Sequence, residues 1–184
     1  LGAFGKNSIV RIHGMGSCVM LRCIALGEGF ECERDYPGGE GYEYADCGKC
    51  RRCIDACPSG ALSESGMDHT RCLRAHMFQG PPTPEEFRPL MGNRLLGCEE
   101  CLRACPHNAR AYADALEPPD ELKRILDIRR AFDTDTRAEY MKEFGALLGW
   151  NMAIPNRVLA QAIIVAANLN MRELTPLIEP RVQS

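Results

Sequence analysis

Eight cysteines of this 184-residue chain fall at spacings that suit iron–sulfur chemistry: Cys47-x2-Cys50-x2-Cys53-x3-Cys57-Pro58, then Cys72, then Cys98-x2-Cys101-x3-Cys105-Pro106. Three cysteines at two-residue intervals wrap a short turn around one corner of a cubane, each thiolate on a different iron. The fourth, three residues on and followed by proline, points away and ligates the other cluster. The first run therefore gives Cys47, Cys50 and Cys53 to one 4Fe–4S cluster and Cys57 to a second. The second run ends in the same way, so Cys105 returns to the first cluster. The second cluster then holds Cys57, Cys98 and Cys101 and needs one more ligand. Cys72 is the candidate within the same stretch, displaced upstream across an insertion. Two such clusters move electrons one at a time.

Other uses of these thiols match the pattern less well. Structural zinc draws on two Cys-x2-Cys pairs rather than a run of four ending in proline. A disulfide framework suits an even cysteine count in a small secreted chain. Here the count is eleven, and no signal-peptide pattern opens the sequence. Dense reduced thiols lead to the expectation of a cytoplasmic protein. Cys18, Cys23 and Cys32 are spaced too irregularly for a third metal and are expected as buried free thiols in strands.

The chain has a formal net charge of −3, which does not indicate a strongly basic nucleic-acid binder. Arginines do cluster near the cysteines: Arg51, Arg52, Arg71, Arg74, Arg103 and Arg110. They are read as offsetting cluster charge and solvating the surface. Arg51, Arg52 and Arg103 are expected to raise the cluster potentials. The longest apolar stretch, Val158 to Ala167, is too short to span a bilayer, so no membrane association is expected. His13, His69, His76 and His107 lack ligand spacing with the cysteines and are read as surface or packing residues. The chain opens at Leu1 within a Gly-rich segment, and the reading is that it is a piece of a longer polypeptide.

The elements that must carry these residues define an α+β chain. Residues 1–35 read as β structure, with Ser8 to His13 and Ser17 to Leu26 as strands around a Gly14-Met15-Gly16 turn. Two strands are marginal alone, so they are expected to complete a sheet elsewhere. A Gly-rich linker, 36–46, opens the cluster module, so that 36–112 is expected as a two-cluster ferredoxin-like domain. Within it, Cys-x2-Cys-x3-Cys-Pro occurs twice, an internal repeat. Thr83, Pro84 and Glu86 predict an N-cap, first helical residue and capping box. Residues 113–184 are expected as a helical tail. Three apolar faces run through it: Leu122, Ile125 and Leu126; Tyr140, Phe144, Leu147 and Leu148; Val158, Leu159, Ala162, Ile163 and Ala166. Trp150 is expected to fill the core between helices.

Six segments together resemble the epoxyqueuosine reductase family. They are Gly5-Lys6-Asn7, Gly16-Ser17, the run from Cys47 to Ala61, Arg71-Cys72, Pro89-Leu-Met-Gly-Asn-Arg94, and the run from Gly97 to Asn108. The likeness covers most of residues 1–112 and continues faintly into the tail, where the family has HEAT-like repeats. It implies reduction of the epoxide of epoxyqueuosine in tRNA to queuosine, with loss of water. It implies cobalamin as a cofactor besides the two clusters, and an external one-electron donor of ferredoxin or flavodoxin type. Reductive dehalogenases share the cobalamin-plus-two-cluster layout. Residues 1–35 then read as the last strands of a truncated cobalamin-binding domain. Gly5, Ser17 and Glu99 are the positions that the resemblance places near cobalamin. The family's acidic proton donor is not matched by a residue of this sequence, so no catalytic residue is named and the chain alone is not expected to complete the reduction. His107 stands where the family often has tryptophan. Two other roles remain open from the residues: a free-standing two-cluster electron carrier, and a scaffold whose clusters serve structure only while its tail binds RNA or protein.

Overall fold

The computed structural model describes residues 2–22, 24, 25, 27, 29, 47–79, 82–133 and 137–182. The chain divides into two compact units, each built from two stretches of sequence. One comprises Leu1–Asp68 with Glu99–Ala115, the other His69–Cys98 with Leu116–Ser184. The first combines short helices with four two-residue strands, whereas the described residues of the second form helices and no strand, so the α+β class holds for the chain as a mixture of helices and few strands.

In the first unit, two antiparallel strand pairs frame two short helices. Strands β1 (Ala3–Phe4) and β2 (Val10–Arg11) pair as Ala3 with Arg11 and Phe4 with Val10. Ser8, at φ +58, sits in the turn between them and is one of the rare non-glycine residues in that region. Strands β3 (Leu62–Ser63) and β4 (Gly66–Met67) form a second hairpin. The helices α1 (Arg52–Asp55) and α3 (Glu100–Arg103) pack on one another.

These two helices are the internal repeat in three dimensions. Each has four residues with cysteine second, Cys53 or Cys101. Each is preceded by a residue of nearly the same backbone conformation, Arg51 at φ −124°, ψ 4° and Glu99 at φ −129°, ψ 18°. Each ends at an alanine, Ala56 or Ala104. The next cysteine then donates its N–H back into the helix, Cys57 to Ile54 O at 3.1 Å and Cys105 to Leu102 O at 3.2 Å. Proline follows in both runs and blocks continuation.

The strand expected over Ser17 to Leu26 does not form among the described residues, which lie in irregular chain. Its first N–H shows why. Ser17 N–H donates to the Asn108 side chain at 2.6 Å, so a buried amide takes the place of a ladder partner. Cys18 is exposed rather than buried, and Cys23 and Cys32 lie outside the described residues.

The second unit holds the main apolar core. Helix α2 (Leu73–Gln79) follows Cys72 and buries Leu73 and Met77. After α4 (Ala109–Ala113) of the first unit, the tail runs through α5 (Asp120–Ile125), α6 (Arg129–Phe132), α7 (Arg137–Leu148), α8 (Pro155–Asn168) and α9 (Thr175–Val182). Ile125, Phe132, Tyr140, Phe144, Val158, Ala162, Val165 and Leu174 pack as one cluster. Pro155 opens α8 at a position where a missing N–H leaves no orphan. The Asn168 amide, at the end of α8, donates to Arg88 O at 2.9 Å and Gly92 O at 3.0 Å. No described helix is long and apolar enough to cross a membrane.

Two local expectations fail in this unit. The capping box is absent: Glu85–Phe87 is a 3-10 turn with Pro84 before it and no side-chain cap. Thr83 is buried, and its carbonyl instead accepts the Arg88 Nε–H at 2.9 Å. Trp150 is 67% exposed and fills no core. Its ring lies over Gly145, where an added Cβ would stand 2.5 Å from Cε3, so an apolar cover on α7 replaces the expected inter-helix plug.

Candidate metal centre

Cys47, Cys50 and Cys53 reach the first unit's cavity from the loop that opens α1, and Cys105 reaches it from the end of α3. The cavity has a volume of about 110 Å³. Its cysteines are the four that the spacing assigns to one cluster, although Cys105 lies far from the others in sequence. The Cys47–Cys50 segment closes by a 2.8 Å bond from Cys50 N–H to Cys47 O, with Gly48 at φ +46, a region that glycine enters without strain.

The thiols are free, and Cys50 is exposed while the other seven candidate ligands are half-buried. Among the described residues no group of three or more His, Cys, Asp or Glu side chains converges on a single-ion site. Four thiolates on one zinc would stand about 4 Å apart. Four thiols from two distant runs around one cavity of about 110 Å³ suit a multi-iron cluster.

The cavity's remaining wall comes from the N-terminal hairpin and its neighbours: Gly5, Lys6, Asn7, Arg11, Ser17, Arg52 and His107. Gly5 lies against the first ligand: a Cβ there would meet Cys47 Sγ at 3.8 Å and Asn7 Oδ1 at 2.9 Å. Lys6 ties the hairpin to the cysteine loop by donating to Gly48 O at 2.9 Å and pairing with Glu64 at 2.8 Å. That bond with Glu64 raises the Lys6 pKa and lowers the Glu64 pKa. Burial, and then the Arg11 charge, lower the pKa of His107.

A second tie comes from Asn108, which is fully buried. Its Nδ2 donates to Leu102 O at 2.9 Å while Oδ1 accepts from Ser17 N–H. Gly16, at φ +77, leaves the space that this amide fills. Replacing Asn108 by alanine leaves the buried Ser17 N–H without its partner, at about 1–3 kcal/mol, and takes from Leu102 O one of its two donors, the other being Cys105 N–H. Asn108→Ala is therefore expected to speed iron loss to a chelator several-fold while Asn108→Gln restores part of the wild-type rate. Equal rates for Asn108→Ala and wild type would show that this tie does not hold the site.

Cys57 sits in the first unit under three local donors. Ala61 N–H reaches its sulfur at 3.3 Å, and the Ser59 hydroxyl lies 3.8 Å away. Burial pushes this thiol's pKa up, but the N–H groups of Ala61, Ser59 and Leu62 outweigh it, and the net shift is downward. Such donors favour the thiolate that a metal needs. Cys101 belongs to the same unit, and Cys72 and Cys98 to the other. Within that other unit Arg74, two residues past Cys72, lies against Gly97 beside Cys98. A Cβ at Gly97 would meet Arg74 Nη1 at 2.8 Å. The displaced Cys72 segment is thus tethered to the start of the second run.

Of the three positions that the resemblance places near cobalamin, Gly5 and Ser17 line the cysteine cavity and Glu99 does not. Glu99 instead accepts from Arg103 at 2.7 Å and from the Tyr112 hydroxyl at 3.0 Å. Burial raises the pKa of Tyr112, with Glu99 and then Cys18 adding to the shift. Arg51 is likewise held, by Glu64 at 2.7 Å and Asp55 at 3.5 Å. Of the three arginines expected to raise cluster potentials, two therefore have carboxylate partners, which offset their charge. His13 and His69 are exposed, and His76 stacks on Phe87 at 4.5 Å. Sequence reasoning missed Asn108, although it follows Cys105-Pro106 closely, and missed the structural role of Lys6.

Comparison with known proteins agrees with this geometry. Residues 46–108 match the 4Fe-4S double cluster binding domain. An epoxyqueuosine reductase from Bacillus subtilis (strain 168) is 34% identical over 191 residues, covering 98% of this chain and 47% of that protein. One from Salmonella typhimurium (strain LT2) is 30% identical, covering all of this chain and 49% of the relative. The chain thus spans about half the length of these curated relatives. Among solved structures, an epoxyqueuosine reductase from Bacillus subtilis superposes with a TM-score of 0.67 at 24% identity, over 95% of this chain and 45% of that one. Another, solved with an epoxyqueuosine-modified tRNA-Tyr stem loop, gives 0.61 at 22% identity, over 96% of this chain and 45% of that one. The fold is therefore shared with these enzymes. The chain is similar to epoxyqueuosine reductases over nearly its whole length and carries an iron–sulfur double-cluster domain over residues 46–108.

Proposed function

We propose that this chain is the electron-relay part of a cobalamin-dependent reductase acting on epoxyqueuosine in tRNA. The observation that supports it most is the gathering of Cys47, Cys50, Cys53 and Cys105, from two distant runs, around one cavity. In this reading Cys57, Cys72, Cys98 and Cys101 hold the second cluster.

When bound, the clusters supply one-electron transfer, and cobalamin supplies a strongly reducing centre for the substrate. The chain's own residues set the conditions. Eight thiolates fix the irons. Lys6 and Asn108 hold the ligand loops in place. The Ala61 N–H at Cys57 Sγ spreads the sulfur's negative charge, which favours the reduced cluster. Gly5 and Ser17 are the residues proposed to face cobalamin, on the strength of the resemblance. The N-terminal hairpin is then the end of a cobalamin-domain sheet, and α5 to α9 form HEAT-like repeats. Electrons come from an external carrier of ferredoxin or flavodoxin type, and tRNA is the substrate's bearer. This activity belongs to a reductase of which this chain is one part.

The test is iron and acid-labile sulfide per chain on anaerobically purified protein, with EPR of the reduced sample. About eight of each, with two interacting S = 1/2 signals, is the expected result. Zinc without sulfide would remove the relay altogether. Two clusters with no affinity for a reduced corrinoid would move the reading to a free-standing carrier.

A further inference from the structure

Cys50 alone among the eight candidate ligands is exposed, two arginines share its cavity, and a lysine precedes it in the chain. Arg11 and Arg52 line the same cavity as Cys50, and Lys49 precedes Cys50 in the chain with its side chain exposed. None of the three has an ion-pair partner among the described residues. The neighbouring cations differ: Lys6 and Arg51 share Glu64, and Arg103 holds Glu99. The chain as a whole is acidic, at −3. Positive charge with no ion-pair partner among the described residues, at one exposed ligand of an acidic chain, is a local feature that the total conceals.

Resting on the functional reading above, we propose that the rim of Arg11, Lys49 and Arg52 around Cys50 is the docking face for an acidic one-electron carrier protein. Electron transfer needs a short path from donor to acceptor, and an exposed ligand thiolate gives the shortest one available from solvent. Cations around it steer an acidic partner and raise its encounter rate. One electron leaves the donor, which is oxidised by one unit. The cluster held by Cys47, Cys50, Cys53 and Cys105 gains it, and no bond forms. The same cations attract phosphate, so RNA is the competing occupant. The protein partner is favoured because these charges centre on a redox ligand.

The experiment is stopped-flow reduction of the cluster-loaded full chain. The donors are a photoreduced, strongly acidic plant-type ferredoxin and, separately, the methyl viologen radical cation. Lys49→Glu and Lys49→Glu/Arg52→Gln are compared with wild type, with iron content and midpoint potentials measured on each sample. At about 0.01 M salt, where screening reaches about 30 Å, the double variant is expected to react with ferredoxin about tenfold more slowly. At about 1 M salt the gap should close, and the cationic viologen should not be slowed at all. Unchanged ferredoxin rates in a two-cluster chain would overturn the docking face and leave the relay intact. Equal slowing with both donors would overturn it too, by tracing the effect to the cluster. Loss of affinity for a tRNA stem loop with ferredoxin rates intact would assign the rim to RNA. A chain that binds no cluster would overturn the relay and the docking face together.

Discussion

Cys105→Ser and Cys53→Ser are expected to abolish the same cluster, and Cys57→Ser the other one. Each single variant should hold about four irons where the parent holds about eight. The pairing is not the one that nearness in sequence suggests, since Cys53 and Cys57 lie on one short helix and its exit. The geometry separates them. Cys53 and Cys105 line the same cavity, whereas Cys57 turns away under the N–H of Ala61. EPR distinguishes the outcomes: each variant should lose the interaction between two paramagnets and leave one isolated S = 1/2 signal. The signals left by Cys53→Ser and Cys105→Ser should coincide and differ from that left by Cys57→Ser. If Cys53→Ser and Cys57→Ser leave the same signal, each run closes on its own cluster and the crossed assignment fails. Cys72→Ser belongs with Cys57→Ser in this scheme. Its iron content therefore tests whether the displaced cysteine serves as a ligand.

The cysteine pattern was legible because cluster ligation imposes fixed spacing on the chain before any packing is decided. The repeat in that pattern reappears as two four-residue helices with matching entry and exit geometry. Helices in the tail were legible for a different reason: the apolar faces of Tyr140 and Phe144, and of Val158, Ala162 and Ala166, follow the helical period and are buried. What failed were local signals overruled by a partner distant in sequence. Ser17 opens an apolar-rich run that reads as a strand, but its N–H is claimed by Asn108, ninety-one positions away. Thr83 looks like a cap, yet the Arg88 side chain captures its carbonyl and the segment tightens to a 3-10 turn. Trp150 has the size of a core residue, but Gly145 offers it a flat seat on the outer face of α7. Pairing of Arg51 with Glu64 and of Arg103 with Glu99 could not be read from composition either, and it decides which cations are left to act.

Phe144→Ala should be the most damaging single change to the second unit. The ring is fully buried and meets Tyr140 edge-on, with centroids 5.7 Å apart at 69°. Truncation removes its transfer energy and leaves a cavity, together about 3–5 kcal/mol. For a unit of roughly 100 residues that lowers the midpoint of thermal unfolding by more than about 12 °C. Calorimetry would read the shift, and a change below about 4 °C would mean that the core collapses around the gap. Tyr140 adds a pH dependence with a definite sign. Burial pushes its pKa from 10.0 up to about 12, and its hydroxyl donates to Ile125 O at 3.0 Å. A phenol whose folded pKa is raised favours the fold while it stays protonated. The stabilisation is therefore complete below about pH 10, the ordinary tyrosine value, and is lost as the pH climbs toward about 12. Tyr140→Phe removes both the hydrogen bond and the titration. It should be less stable than wild type at neutral pH and should show a flatter decline between pH 10 and 12. Parallel alkaline declines in the two proteins would place the sensitivity in some other group, whereas convergence above pH 10 would identify the Tyr140 hydroxyl as the one whose ionisation opens this core.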